Sequence, residues 1–375
     1  MYSPLVQGGN DCKWADDGQQ FILEYFDMIC KSPSLIYHSA LPLSPSSSWL
    51  HIYYAPELLQ APKVVRGTKA EWGACYRTVS LDTCGLALSC WNNAIAIGSQ
   101  FGNIIILSSI TGSQLAVLSG HTHHVNSSTF SSDGRSLVSG SDDKTVKLWD
   151  MQTGGVVKTF YGHKGSVSSV SISLDCRRIV SGACDNTICL WDIQTGECLC
   201  TIQQATQVDH VSFSPLNPQH IFSSSGGKIW EWDINGHQIP STYGGSCIIF
   251  SPDHTQFALH NRDGVTVQNS CSRMIVAEFD AGGYIRCCCF SPDGRLIAVA
   301  VDRVVHVWDI TSQDPHPIGT FIGHAKNITS LVFSSPSSLV SISRDESVKF
   351  WKIGGLSTDS VTTNAQSTSF SPASI

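Results

Sequence analysis

The chain has 375 residues, a formal charge of −7 and 14% charged side chains, against roughly 25% in average soluble proteins. That length admits one large domain with an appendage, and the acidic balance argues against gripping a nucleic-acid backbone, which calls for a basic face. No run approaches the roughly 18 apolar residues of a spanning helix, and the opening "MYSPLVQGGNDCKW" has neither the basic start nor the apolar stretch of a secretory signal.

In chain order, residues 1–71 stand apart. In "DDGQQFILEYFDMIC" the residues Phe21, Ile22, Tyr25, Phe26 and Ile29 fall one, three and four apart. That spacing predicts a helix with one apolar face and Asp16 or Asp17 as its N-cap. "LIYHSALPLSPSSSW" is apolar but broken by Pro42 and Pro45, and "SWLHIYYAPELL" predicts another helical turn or two. A helix this short is marginal alone in water, so its apolar face is expected to dock on the main body or on a neighbouring domain.

A lone strand-like segment, "YRTVSL", precedes a repeating region. "SGSDDKTVKLWDMQTG" at Ser139–Gly154 returns as "SGACDNTICLWDIQTG" at Ser181–Gly196. The tryptophan position runs through Leu107, Trp149, Trp191, Trp232, Gln268, Trp308 and Trp351, at intervals of 42, 42, 41, 36, 40 and 43. Gly-His precedes three of the units, at His121, His163 and His324, and an apolar residue before a polar turn marks six, from Phe130 to Phe333. Three markers in one order at one period define seven units, two of them degenerate. Within the second unit, "HVNSSTF", "SLVSGS", "TVKLWD" and "VVKTF" read as strands of period two separated by Asp- and Gly-containing turns.

Four strands per unit of about 40 residues, with Gly-His and Trp-Asp, resemble WD40 repeats, which build β-propeller blades. The resemblance implies an all-β fold: a seven-bladed propeller over 72–355, after a helical and irregular extension over 1–71 and before a flexible Ser/Thr-rich tail over 356–375. Thr78–Leu81 is expected to become the outer strand of the last blade, closing the ring and covering open sheet edges.

The resemblance also implies a structural hydrogen-bond set in each complete blade: His121, Ser139, Asp143 and Trp149; His163, Ser181, Asp185 and Trp191; His324, Ser341, Asp345 and Trp351. Ser, His and Asp together look like a hydrolase triad, but recurrence once per blade points to structure. The first, fourth and sixth units lack parts of the set and are expected to rest on apolar packing alone. Partner-binding positions carried over from the family fall at His124, Asn126, Asp142, Ser166, Ser168, Cys184, Gln207, Asp209, Tyr284, Arg286, Asn327, Thr329 and Arg344, on one face of the ring. Tyr284, Arg286 and Arg344 are the expected energetic centres, since Tyr and Arg dominate such surfaces. Arg286 and Arg344 would suit an acidic or phosphorylated peptide.

Fifteen cysteines include no C-x2-C pair. In Cys287-Cys288-Cys289 a strand sends alternate thiols to opposite sides, which does not suit one tetrahedral ion. They read as buried thiols of a reducing, cytoplasmic setting. Neither G-x-S-x-G nor H-E-x-x-H occurs, and the identifiable carboxylates are mostly turn Asp residues. No catalytic residue, cofactor or metal site is therefore assigned, and a propeller hydrolase is the disfavoured alternative.

The segment "FILEYFDMI…LIYHSALPLSP", then "VVRG" and "TVSL" entering the repeats, resembles the junction between the NACHT domain and the WD40 array of fungal NOD-like receptors. The resemblance implies a ligand-sensing repeat region whose covalent neighbour would be a nucleotide switch. No phosphate-binding loop accompanies it: Gly226-Gly227-Lys228 is followed by Ile229, where the motif needs a hydroxyl. The expected entity is a sensor piece, its Ser/Thr-rich ending suggesting truncation. A general assembly scaffold, of the ubiquitin-ligase or chromatin-adaptor type, is the alternative. No nucleic-acid or membrane partner is expected.

Overall fold

The structure is a computed structural model. It describes residues 74–353 save 263, 312–314 and 316, and ahead of them 40–54 with residues 17, 18, 20–22, 25, 29, 32 and 36. Between Cys75 and Lys352 the chain forms seven four-stranded antiparallel sheets. The second unit gives strands Val125–Phe130, Ser136–Ser141, Val146–Asp150 and Val156–Phe160, as its alternation predicts. Each sheet is one blade of a seven-bladed propeller.

The ring closes through its first strand. Cys75–Ser80 pairs antiparallel with Ser347–Lys352, setting Val79 opposite Val348 and Ser80 opposite Ser347. The expected interlock is thus present. Tyr76 seals it: its ring is buried, lies 6.1 Å from Phe350, and its hydroxyl meets Ser338 Oγ at 2.9 Å.

The core lies between blades. Val138, Leu148 and Phe160 of blade two pack with Val167, Ile179 and Trp191 of blade three. No sheet has a free face, so the second strand of each blade is apolar on both sides: Leu137 and Val138, Ile179 and Val180, Ile297 and Ala298 are all fully buried. Close approach requires glycine at one point. A Cβ on Gly140 would lie 2.5 Å from Val167 Cγ1, on Gly182 2.5 Å from Val208 Cγ1, and on Gly98 2.8 Å from Val125 Cγ1. At the closing seam the sizes reverse, with Gly85 of blade one beneath Ile342 of blade seven.

The cysteine run follows the strand period. Cys288 faces the cluster with Ala258, Val267 and Phe279, and Cys287 and Cys289 face the one with Phe333 and Leu339.

Ahead of the ring, the described residues from Asp17 to Ile29 are helical. Phe21, Ala40 and Leu41 form a small core with Tyr25, Ile29, Ile36 and Leu50. Ile22 departs from the expected face and is 55% exposed; Phe26 and Asp16 lie outside the described residues. Asp17 lies in this helical stretch, and its Oδ2 accepts from Leu50 N at 3.1 Å and Ser48 Oγ at 3.0 Å, capping the short helix Trp49–Tyr54. A carboxylate at that N-terminus satisfies an orphan amide. The tail over 356–375 lies outside the described residues.

Candidate functional site

Three blades carry the complete polar set. In blade two, His121 Nδ1 lies 2.7 Å from Asp143 Oδ2 and His121 Nε2 2.8 Å from Ser139 Oγ, and Trp149 Nε1 donates to Ser139 Oγ at 2.7 Å. The corresponding distances are 3.2, 2.7 and 2.8 Å around His163. Around His324 they are 3.0, 2.7 and 2.8 Å. The carboxylate can only accept, so Nδ1 carries the imidazole proton. Nε2 then accepts from the serine hydroxyl, whose oxygen takes the indole N–H. Every polar atom is used, which is what buried groups require. The imidazoles are no more than 1% exposed, leaving no room for a substrate. Burial depresses all three His, outweighing the Asp that would raise them. Burial pushes Asp185 and Asp345 up, but hydroxyl and amide donors led by Thr187 and Ser347 outweigh it and hold both at about 2.

Blade four corrects an expectation. It does not rest on apolar packing alone: Gln204 takes the histidine's place, its Nε2 donating to Ser223 Oγ at 2.5 Å while Trp232 Nε1 donates at 2.8 Å. Gly226 supplies no carboxylate beyond it, and Gln204 Oε1 is left unpaired. Blades one and six are apolar as expected. Buried Val299 stands where Ser belongs in blade six, and Trp308 stacks on Phe279 at 4.5 Å.

The candidate partner surface is the end of the ring where turns meet the starts of the first strands. Backbone bonds fix this end: Asp142 N to His124 O, Cys184 N to Ser166 O, Arg344 N to Asn327 O. Three of the expected contact residues are rungs between blades. Asn126 Nδ2 donates to Val167 O at 3.0 Å and Asp142 Oδ1 at 2.7 Å. Ser168 Oγ donates to Val208 O at 2.5 Å, and Thr329 Oγ1 to Gly85 O at 2.8 Å. Ser166 and Asn327 are half-buried.

The remaining positions divide by charge. On blades two to four, His124 lies 3.4 Å from Asp142 and Gln207 Nε2 donates to Asp209 Oδ1 at 3.2 Å. Burial, then the charges of Asp142, Asp209 and Asp185, raises the Cys184 thiol, so these groups form one acidic sector. Burial also raises Asp209. On blades six and seven, Tyr284, Arg286 and Arg344 are exposed, and the Arg286 guanidinium lies 5.0 Å above the Tyr284 ring. Sequence reasoning missed Arg262, an exposed residue whose carbonyl takes Ile285 N at 2.7 Å, bringing a third cation beside blade six. The fifth unit lacks both Trp and Gly-His, so nothing marked its turn.

The other turn carboxylates are occupied by their own turns. Ser131, Ser173, Ser251 and Ser291 donate to Asp133, Asp175, Asp253 and Asp293 within 2.6 Å.

Comparison with known proteins agrees with this architecture. The model of the WD domain, G-beta repeat, matches 112–150, 273–309 and 315–352; that of the Vps8 beta-propeller matches 159–261. Small ribosomal subunit protein RACK1y of Oryza sativa is 37% identical over 260 residues, 64% of this chain and 77% of the relative. RACK1 of Medicago sativa is 41% identical over 208 residues, 52% of this chain and 64% of its own length. Vegetative incompatibility protein HET-E-1 of Podospora anserina is 33% identical over 134 residues, 36% of this chain but 7% of that protein. With seven four-stranded blades, the recurring His–Ser–Trp set and a relative matched over most of its length, this chain belongs to the WD40-repeat family.

Proposed function

We propose that the chain is a non-catalytic platform that binds a protein or peptide on the turn-bearing end of the ring. Its basic sector, Arg262, Arg286 and Arg344, receives an acidic or phosphorylated segment. The observation that carries this is the exposed Tyr284–Arg286 pair, with the guanidinium held at 5.0 Å over the ring. A preorganised Arg loses less freedom on binding, and Tyr and Arg dominate interface energetics. Its setting is the ligand-sensing repeat region of a fungal NOD-like-receptor-type protein. The junction-like N-terminus and the partial similarity to a vegetative incompatibility protein support this. A cytoplasmic location fits the described cysteines, all of them free. Among the described residues no helix is long and apolar enough to cross a membrane.

The test is titration of the full chain against fluorescent acidic and phosphorylated peptides at two salt concentrations. Arg286→Ala and Arg344→Ala should each weaken binding about tenfold, as for a hot spot of more than 1 kcal/mol. Unchanged affinity in both variants would sink the proposal.

The extensive match to RACK1y favours a second reading, a general assembly scaffold. A partner captured from cells equally well by both Arg variants would favour it.

A further inference from the structure

Blade three carries two thiols that the repeat does not ask for. In blades two and seven the third-strand residue two before the tryptophan is a lysine that donates to a threonine on the outer strand. Lys147 Nζ meets Thr159 at 2.9 Å and Lys349 Nζ meets Thr78 at 3.0 Å. In blade three this position is Cys189, opposite Thr201. The outer strand Cys198–Gln203 bulges: Leu190 faces Cys200, Trp191 faces Cys198, and Leu199 is the extra residue. A bulge breaks the alternation of faces, and here it turns Cys198 toward Thr201. The two sulfurs share that hydroxyl, Cys198 Sγ at 3.4 Å and Cys189 Sγ at 3.8 Å. Cys189 Sγ also lies 3.9 Å from His163 Nδ1. Cys189 is buried and Cys198 is exposed.

No lysine at this position neutralises the spot, so the proton is divided between the sulfurs. The neighbouring Cys189 thiol, helped by Thr201, holds Cys198 down to about 6. The nearby Cys198, with burial, pushes Cys189 well up. The accessible sulfur is therefore a thiolate near neutral pH, and its protonated partner stands beside it. This combination makes a cysteine selectively oxidisable.

We propose that Cys198 and Cys189 form a peroxide-responsive dithiol on the outer edge of blade three. The Cys198 thiolate attacks one oxygen of a hydroperoxide. The O–O bond breaks, Cys198 becomes a sulfenic acid, and the departing oxygen takes up a proton. Cys189 then attacks that sulfur. The S–S bond forms as the S–O bond breaks, and the Cys189 proton leaves with the hydroxyl as water. The peroxide gains two electrons and each sulfur loses one. The disulfide staples the third strand to the outer strand and commits Cys189 Sγ away from His163. A thiol reductant reverses it. Cys200 faces the other side, in the seam with Val208 and Trp232, and is an internal control.

The experiment treats the reduced full chain with equimolar hydrogen peroxide, alkylates, and maps thiols by mass spectrometry. A Cys189–Cys198 cross-link that dithiothreitol reverses is expected, and Cys200→Ser should leave it intact. Cys189→Ala removes both the resolving thiol and the neighbour that lowers Cys198, so oxidation should be slower and should stop at a Cys198 sulfenic acid trappable by dimedone. Iodoacetamide alkylation of Cys198 should level off above about pH 7 in the native chain, where an ordinary thiol, with a pKa of about 8.5, keeps gaining rate. The proposal fails if both sulfurs remain separately alkylatable after peroxide, or if the cross-link joins Cys198 to Cys200. It also fails if the Cys198 rate rises with pH as it does in the denatured chain. The measurements on the unaltered chain decide it even if a variant does not fold.

Discussion

Lys349 Nζ donates to Thr78 Oγ1 at 3.0 Å across 271 residues of chain. The pair sits in the ladder where the first strand completes the last blade, so ring closure depends on a few side chains of Cys75–Ser80. Tyr76→Ala should remove a buried aromatic and cost about 3–5 kcal/mol. Tyr76→Phe, which loses only the bond to Ser338, should cost about 1 kcal/mol. Urea denaturation of both variants checks the ratio; near-equal losses would mean that the ring does not rely on this seal.

The serine at the centre of each polar set holds two partners. Ser139→Ala should leave the Trp149 N–H and the His121 Nε2 without a partner and cost about 1–3 kcal/mol. Ser223→Ala should behave alike, because Trp232 and Gln204 both donate to it. Blade six has no such dependence, since Val299 fills the position. Thermal melts of the two alanine variants provide the test, and a silent Ser223→Ala would show that the glutamine bond carries no weight.

Blade spacing can be tested through Gly140. Its alanine variant would place a Cβ 2.5 Å from Val167 Cγ1, and overpacking of this kind costs about 1–3 kcal/mol. Val167→Ala removes the nearest contact and leaves Val170 Cγ1, 2.8 Å from the new methyl, to give way. The double variant should be more stable than the sum of the two single losses predicts, with a coupling of at least about 0.5 kcal/mol. Strict additivity would mean that the blades adjust by shifting instead.

Acid should weaken the protein in two stages. Burial, then the neighbouring His260, lowers His210 to about 4, and its Nδ1 is buried without a partner. The unfolded chain therefore binds a proton that the native chain refuses. Stability from this group is complete above about pH 6.5 and lost as pH falls toward 4. His121, His163 and His324 shift in the same direction. Asp185 and Asp345, held at about 2, contribute stability that is complete above about pH 4 and lost below it. Denaturation midpoints across pH 8 to 3 should show both slopes, and His210→Leu should flatten the upper one.

The repeat was legible because Trp, Gly-His and turn Asp are the residues that satisfy one another inside a blade, so their spacing reports the strands directly. Gln204 was not legible. A glutamine reaching a serine 19 residues away has no signature, and only the fold brings the two together. Asn126, Ser168 and Thr329 sit where a partner contact was expected, yet their side chains hold the next blade's backbone. Sequence fixes their position on the rim but not which way each hydrogen bond points. The Cys189–Cys198 pair was hidden for another reason: strict alternation separates the two residues, and the bulge that reunites them, which recurs just before the tryptophan position in blades one, two, three, five and six, shows only once the strands are paired.

The closing seam also sets a timetable for synthesis. Cys75–Ser80 is the first strand of the ring to leave the ribosome, and its partner strand emerges about 270 residues later. At about 5–20 residues per second the wait is roughly 14–55 s. During that interval the blades can stack one after another, but the nascent arc keeps two uncovered apolar faces, and the first strand waits unpaired with its backbone able to recruit a foreign strand. Birth of the ring is therefore its most aggregation-prone moment, and any factor that shields the waiting strand acts before the last blade exists.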